Sequence, residues 1–251
     1  MTDSPAEAEP LAAHPPLPSY YRADAERQSF LNRLFDRAST HYDWVNAVMS
    51  FGSGYRYRDE VLRRTQLREG MRVLDVACGT GPVAFAAKRI VGPGGRVVGV
   101  DPSRGMLNVA KEKVDARFVE ALGEALAIRG ESFDLLTMGY ALRHVSDLRA
   151  AFREYHRVLK PGGRVVIMEI AVPQSAFRKR LLGWYMGRVI PLVVRLGTRS
   201  RDAEQMMRYY WDTTANCVPP ATIMQALRDA GFRDVRRDVQ WGMLCEYHGV
   251  R

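Results

Sequence analysis

The heptapeptide Asp75-Val76-Ala77-Cys78-Gly79-Thr80-Gly81 decides the fold, because it carries an apolar strand into a helix through two glycines. Upstream, residues 72–77 (RVLDVA) read as a buried strand. Downstream, residues 82–90 have the apolar spacing of a helix that opens on Pro82. Glycines at 79 and 81 let the backbone bend sharply and approach a ligand that a Cβ would push away. The helix closes at Gly92-Pro93-Gly94-Gly95, and residues 96–101 (RVVGVD) return as a second strand ending on Asp101.

The alternation continues along the chain. Short strands are predicted at 118–119 and 133–138. Ser146 or Asp147 caps a helix that places Leu148, Ala151, Phe152, Tyr155 and Leu159 on one face. Pro161-Gly162-Gly163 stops it, and residues 165–170 form a further strand. A last helix (221–230) and two strands near Val235 and Leu244 complete the pattern. Strands alternating with helices imply an α/β fold, a Rossmann-like parallel sheet covered on both faces. Before the sheet, a helical pattern starts near Arg22 and carries Phe30, Leu34, Phe35, Val45, Val48 and Met49. The first eighteen residues hold five prolines and no such pattern. Residues 1–21 are therefore expected to be a disordered tail, and 22–251 one domain with an insertion at about 174–215.

The bulk composition narrows the classes. With 47% apolar and 26% charged residues, the chain is ordinary for a globular protein. No apolar stretch approaches the roughly 20 residues needed to span a bilayer, and no signal pattern opens the sequence, so a cytoplasmic location is expected. Cys78, Cys217 and Cys245 are far apart, which argues against a disulfide framework and against a metal site. The net charge of +9 asks for an anionic partner, nucleic acid or a membrane face. Taken alone, Gly79-x-Gly81-x-x-Ala84 also satisfies a dinucleotide fingerprint, with Asp101 where a nicotinamide cofactor's ribose would want an acid.

Longer motifs are more specific. Tyr42-Asp43-Trp44-Val45-Asn46 followed by Met49-Ser50-Phe51-Gly52, Tyr140-Ala141-Leu142-Arg143-His144-Val145, and Arg157-Val158-Leu159-Lys160-Pro161-Gly162-Gly163 with Met168-Glu169 stand in sequence order. Together they resemble the ubiquinone/menaquinone biosynthesis C-methyltransferase family (the UbiE type) over residues 28–249. The resemblance implies a seven-stranded methyltransferase sheet with an N-terminal helical cap and a helical lid. It implies S-adenosylmethionine as donor, S-adenosylhomocysteine as product, and a small or lipid-like quinol as acceptor. In such a site Asp75, Ala77, Gly79, Thr80 and Gly81 would place the methionine portion, and Asp101 the ribose. Leu122 and Gly123 would fall at the adenine, Gly139 on the donor side of the fourth strand, and Pro102, Met106 and Tyr140 are further donor-binding candidates. Tyr42 and Asn46 fall to the lid and the donor's carboxylate.

For the chemistry, Arg143 is expected to stabilise a quinolate and His144 to accept its proton. Tyr57, Tyr140, Tyr209 and Trp211 are candidates for an aromatic acceptor pocket. The departures from the family pattern are Gly54 and Tyr57 where it has His and Trp, Leu122 and Gly139 for polar residues, His144 for Asn, and Ala171 for Ser. They leave open a phospholipid-amine or natural-product acceptor, or a non-catalytic scaffold. Nucleic acid is not the expected acceptor, since Met138-Gly139-Tyr140-Ala141 replaces the Asn/Asp-Pro-Pro-aromatic run of base methylases. Residues 175–201 hold seven Arg or Lys and no acid among Leu181, Trp184, Tyr185 and Leu192, a composition suited to an anionic membrane surface. The oligomeric state stays open.

Overall fold

The computed structural model describes residues 9–50, 52–173 and 175–251. Seven strands form its centre: β1 (Arg72–Val76), β2 (Arg96–Asp101), β3 (Arg117–Glu120), β4 (Phe133–Gly139), β5 (Leu159–Ile170), β6 (Arg233–Gln240) and β7 (Leu244–Val250). They make one sheet in the order β3-β2-β1-β4-β5-β7-β6, parallel through β5, with β7 antiparallel to both neighbours. The chain runs outward from β1 to β3 and then restarts at β4 on the other side. This reversal opens a crevice at the carboxyl ends of β1 and β4, where such sheets bind ligands.

Strand burial explains the apolar runs. Val73, Leu74, Val76, Leu135, Leu136 and Met138 are buried on both faces of the sheet. On one face pack α5 (Leu148–Val158) and α9 (Pro220–Asp229), with Phe152, Tyr155 and Leu227 in the core. On the other, α2 (Gly54–Arg64) and α3 (Pro82–Val91) contribute Val61, Leu62, Val83 and Ala87. Asp147 caps α5, accepting from the Arg149 amide at 2.9 Å. That helix ends at Val158, and Leu159 already belongs to β5. The residue before a proline avoids the helical region, so Lys160 and Pro161 enforce extended backbone.

The helices over the carboxyl ends of the strands are α1 (Asp24–Ser50), α6 (Ala176–Trp184), α7 (Ile190–Thr198) and α8 (Arg201–Ala215), while α4 (Arg104–Lys113) connects β2 to β3 and packs against both strands and against α1. A separate core joins α1, α7 and α8 through Leu31, Leu34, Val45, Ile190, Val194, Met206 and Tyr209. Between α6 and α7 the helix widens into a π turn at Tyr185–Val189, just before Pro191, which has no N–H for the regular ladder.

The expected disordered tail differs from the structure over residues 9–21; its first eight residues lie outside the described ones. Ala13 and His14 are fully buried. Leu11 and Ala13 pair their backbone with Leu148, Val145 and Val218 at 2.8–3.3 Å, and the Leu11 amide also donates to Asp147. Prolines around these residues offer no competing donors, so the segment docks where the ends of α5 and α8 leave backbone groups open. His14 accepts at Nε2 from Arg27 and donates from Nδ1 to the Pro15 carbonyl, the tautomer that satisfies both. A chain starting at Arg22 is expected to lose roughly 2–4 kcal/mol from these backbone bonds. Urea unfolding measures it, and an unchanged midpoint would show that residues 9–21 contribute nothing.

Candidate active site

The bend after β1 is held from beneath by carboxylates. Asp75 has no exposed surface. Its two oxygens accept from the Ala84 amide in the first turn of α3, at 3.1 Å, and from the Thr137 hydroxyl of β4, at 2.8 Å. Asp101, at the end of β2, accepts from the Gly79 and Ser103 amides at 2.8 Å each. Burial pushes Asp75 up to about 7 and Asp101 up to about 6, against the lowering effect of their donors. Gly79 and Gly81 have φ of +55° and +84°, and Ala77, φ +52°, takes the same left-handed conformation without being glycine. Such backbone is retained where surrounding bonds over-determine it.

Above the bend lies a cavity roofed by α1. Of the expected donor-binding residues, Tyr42, Ala77, Gly79, Asp101 and Pro102 line it, as do Met106, Leu122, Gly123, Gly139 and Tyr140. A Cβ on Gly79 would meet only Tyr42 Cε1, at 3.8 Å, so the bend leaves open space for a ligand. Gly123 is required for packing as well, since a Cβ there would come within 2.8 Å of the Tyr155 hydroxyl.

Asn46, Asp75, Thr80 and Gly81 do not line the cavity. Asp75 is sealed beneath the bend, which makes it a positioning group. Thr80 donates to Asp43 of α1 at 2.5 Å, and Lys113 of α4 pairs with the same carboxylate. Gly81 packs against Val114 and Ala110, and Asn46 sits one turn after Tyr42 on α1, its carbonyl accepting from the Ser50 hydroxyl at 2.7 Å.

The expected catalytic pair is split. His144 lines the cavity, stacked on Tyr209 at 5.6 Å between centroids and edge-on to Phe35 at 5.3 Å. Its Nδ1 is buried with no hydrogen-bond partner among the described residues. Burial, reinforced by the charges of Arg143 and Arg27, holds its pKa well below the usual histidine value, so the ring is neutral. Arg143 does not reach the cavity. Its Nη1 donates to both oxygens of Glu169 at 3.1 Å and to the Tyr140 carbonyl at 2.5 Å, and the guanidinium lies 3.7 Å over the Tyr210 ring. A guanidinium so committed, beside a buried carboxylate, is not free to receive an acceptor's charge. Of the aromatic candidates only Tyr140 lines the cavity. Tyr57 donates to Glu246, Tyr209 backs His144, and Trp211 packs against Gly183 and Gly187.

Residues of α1 that the sequence reading passed over, Gln28, Leu31 and Asn32, also face the cavity, as does Phe35, which it placed only in a helical apolar pattern. Their spacing of three and four, extended to Tyr42, was a readable signal for one helix face. Gln28 and Asn32 bond to each other at 2.7 Å. Arg27, only 2% exposed, donates to the carbonyls of Arg143 and Val145 and so braces the turn that carries His144.

An acid at the end of β2 with its open side in the cavity suits two ribose hydroxyls, and the space over Gly79 suits an amino-acid chain. The antiparallel β7 between β5 and β6 separates this sheet from a dinucleotide-binding one. Fold and site together define an S-adenosylmethionine-dependent methyltransferase. Solved methyltransferases share the fold: a possible histamine N-methyltransferase from Thermotoga maritima (TM-score 0.61, 19% identity, 87% of this chain and 98% of that one). Another is phosphoethanolamine N-methyltransferase 2 from Haemonchus contortus with S-adenosyl-L-methionine (TM-score 0.63, 19% identity, 90% and 60%). The family follows from sequence: the ubiE/COQ5 methyltransferase family model matches residues 22–251, and the chain belongs to that family. Similar to it are the demethylmenaquinone methyltransferases of Geobacillus kaustophilus (36% identity, 83% of this chain and 91% of that one) and Staphylococcus aureus strain JH9 (34%, 88% and 92%).

The raised carboxyls give the site a pH signature. Both hold protons more tightly in the folded chain than in the unfolded one. Their contribution to stability is therefore present in acid and lost as pH rises through about 6 and about 7. A ribose that donates two hydroxyls to Asp101 requires its carboxylate form. S-adenosylhomocysteine binding at pH 6 should then release roughly half a proton. Calorimetry in buffers of different ionisation enthalpy reads this directly, and no release at pH 6 would remove Asp101 from the ribose site.

Proposed function

We propose that the chain transfers a methyl group to a ring carbon of a quinol, of the naphthoquinol class that its curated relatives' names specify. The observation that carries this reading is a neutral His144 set in an aromatic cavity wall with Phe35 and Tyr140, beside the donor bend. A flat, apolar ring packs well on such a wall. The identity to demethylmenaquinone methyltransferases over most of both chains supports the same acceptor.

S-adenosylmethionine, when bound, supplies a methyl group on a positively charged sulfur, an electrophile that needs alignment more than activation. Asp101 would hold the ribose, Pro102, Met106 and Leu122 the adenine, and Ala77, Gly79 and Tyr42 the methionine end. The acceptor's ring carbon becomes nucleophilic as its neighbouring hydroxyl shares or gives up a proton, and the hydrogen that the methyl replaces on that carbon would leave as a proton to water. His144 accepts that hydrogen bond as a neutral imidazole, because a second cation beside Arg143 and Arg27 is electrostatically unfavourable. Arg143 acts as a positioning residue: it fixes Glu169 and the carbonyl of Tyr140, whose own backbone is left-handed at φ +60°.

The decisive assay supplies methyl-labelled donor with short-tailed demethylnaphthoquinol, demethoxybenzoquinol and phosphoethanolamine in parallel. Ring-carbon label on the naphthoquinol alone is the expected result, and label only on an amine would overturn the reading. His144→Ala should lower turnover by about 100-fold and leave S-adenosylhomocysteine affinity nearly unchanged. Because His144 stays neutral, wild-type turnover should show no loss that depends on this residue between pH 9 and pH 6. Full turnover in His144→Ala across that range would end its role.

The acceptor would be collected at a membrane face. On α6, Phe177, Leu181 and Trp184 stand at helical spacing and are 76%, 54% and 55% exposed, with Arg178, Lys179 and Arg180 among them. Aromatic and apolar side chains interleaved with cations favour an anionic lipid surface. No helix among the described residues is long and apolar enough to cross a membrane. Sedimentation with anionic vesicles should exceed that with neutral ones, and Phe177→Ser with Trp184→Ser should abolish the difference. Equal sedimentation of wild type with both vesicles would count against a lipid-facing α6.

A further inference from the structure

Donor, acceptor and lipid all meet the chain at the carboxyl ends of its strands, and the amino ends carry a separate charge. β1, β2 and β3 each begin with an arginine, Arg72, Arg96 and Arg117, and all three are exposed. Arg72 stands opposite Arg96, and Arg117 stands opposite Val98, two residues further along β2. Partners across a sheet, like residues two apart on a strand, project from the same face, so the three guanidiniums leave the sheet on one side. With Lys88 and Ser132 they line a concave surface of about 430 Å³. Arg129 continues it in an adjoining hollow that shares Arg72 and Ser132.

The acids nearby are already committed. Asp134 accepts from Lys160 and from the backbone amide of Arg72, Glu131 pairs with Arg251, and Asp115 lies 4.0 Å from Lys88. Among the described residues, the side chains of Arg72, Arg96, Arg117 and Arg129 have neither a hydrogen bond nor an ion pair. Four like charges in one hollow repel one another, and an arriving anion relieves that repulsion. The shape of the hollow selects among anions. Bases need an aromatic face to stack on, and the aromatic ring here, Phe133, is 6% exposed and belongs to the core. A lipid surface is flat, whereas this one is concave and lies at the end of the sheet away from α6. Carboxylates on flexible side chains can enter it, and they match guanidinium forks in geometry and charge.

We propose that the arginine-lined hollow at the amino ends of β1, β2 and β3 docks an acidic segment of a partner protein, rich in Asp and Glu. The assignment stands independently of the donor and acceptor readings. The six residues of β2 separate the hollow from the donor bend by roughly 20 Å. A partner held there leaves the active site open to donor, acceptor and lipid.

The test is binding to the full chain, by fluorescence anisotropy at ~20 mM salt, where exposed charges are little screened. Three labelled probes of equal length are compared: a Glu-rich peptide, the same peptide with Gln for Glu, and oligouridylate. The Glu peptide should bind ~10-fold tighter than the Gln peptide, and tighter than oligouridylate. Arg72→Gln with Arg96→Gln and Arg117→Gln should weaken the Glu peptide by ~10-fold. A control with the same loss of charge, Arg33→Gln with Arg153→Gln and Arg228→Gln, removes exposed arginines of α1, α5 and α9 and should weaken it by less than about 2-fold. Thermal melts confirm that both triple variants are folded. Equal weakening by the two triples would mean attraction to net charge alone and overturns the assignment, as does a wild-type chain that does not bind the Glu peptide. Tighter binding of oligouridylate, lost in the Arg72, Arg96 and Arg117 variant, would replace the acidic segment by nucleic acid.

Discussion

A carboxyl group with no access to water ties the centre of this molecule together. Asp75 ends its strand inside the protein and spends one oxygen on the N-terminal turn of α3 and the other on β4. The unsatisfied amides of a helix start are a natural seat for a carboxyl group, and the hydroxyl of Thr137 completes the pairing. Strand, bend, helix and neighbouring strand are thereby fixed to one side chain. With that framework set, Asp101 can reach across to the Gly79 amide, and the left-handed backbone at 77, 79 and 81 becomes affordable.

The roof is tied to this floor by a second group of acids. Asp36 of α1 accepts from the Ser103 hydroxyl and the Gly105 amide, so a side chain of one helix caps the start of α4. Asp43, two turns on, takes Thr80 of the bend and Lys113 of α4. These contacts place Gln28, Asn32, Phe35 and Tyr42 over the cavity in a fixed rotation of α1. The N-terminal segment then locks the far end of the roof through His14 and Arg27 to the turn after β4.

Charge in the site is arranged by what each cation already holds. Arg143 is neutralised by Glu169, Arg27 is spread over a histidine and two carbonyls, and Arg58 lies against the Tyr140 ring. His144, beside Arg143 and Arg27 and set between the rings of Phe35 and Tyr209, keeps its neutral form. The same sequence neighbours, 143 and 144, therefore take opposite parts: one is a sealed structural charge and the other an uncharged acceptor at the cavity wall.

The strands and the bend were legible in the residues, because apolar runs and glycines fix local conformation wherever the strands are buried on both sides, whereas the antiparallel setting of β7 came from the structure. Family resemblance supplied the donor, and most of the residues named for it do meet at one cavity. The misplaced ones share a cause. Asp75, Thr80 and Arg143 bear the right functional groups, yet each had a partner, Thr137, Asp43 and Glu169, that only folding brings within reach. Proline content made residues 9–21 read as loose, although their backbone pairs with helix ends more than a hundred residues away. Sequence by itself determined the strands of the sheet and the glycine bend that follows the first of them. Tertiary structure alone decided which charges face that ligand, since a side chain's availability depends on contacts that no local pattern encodes.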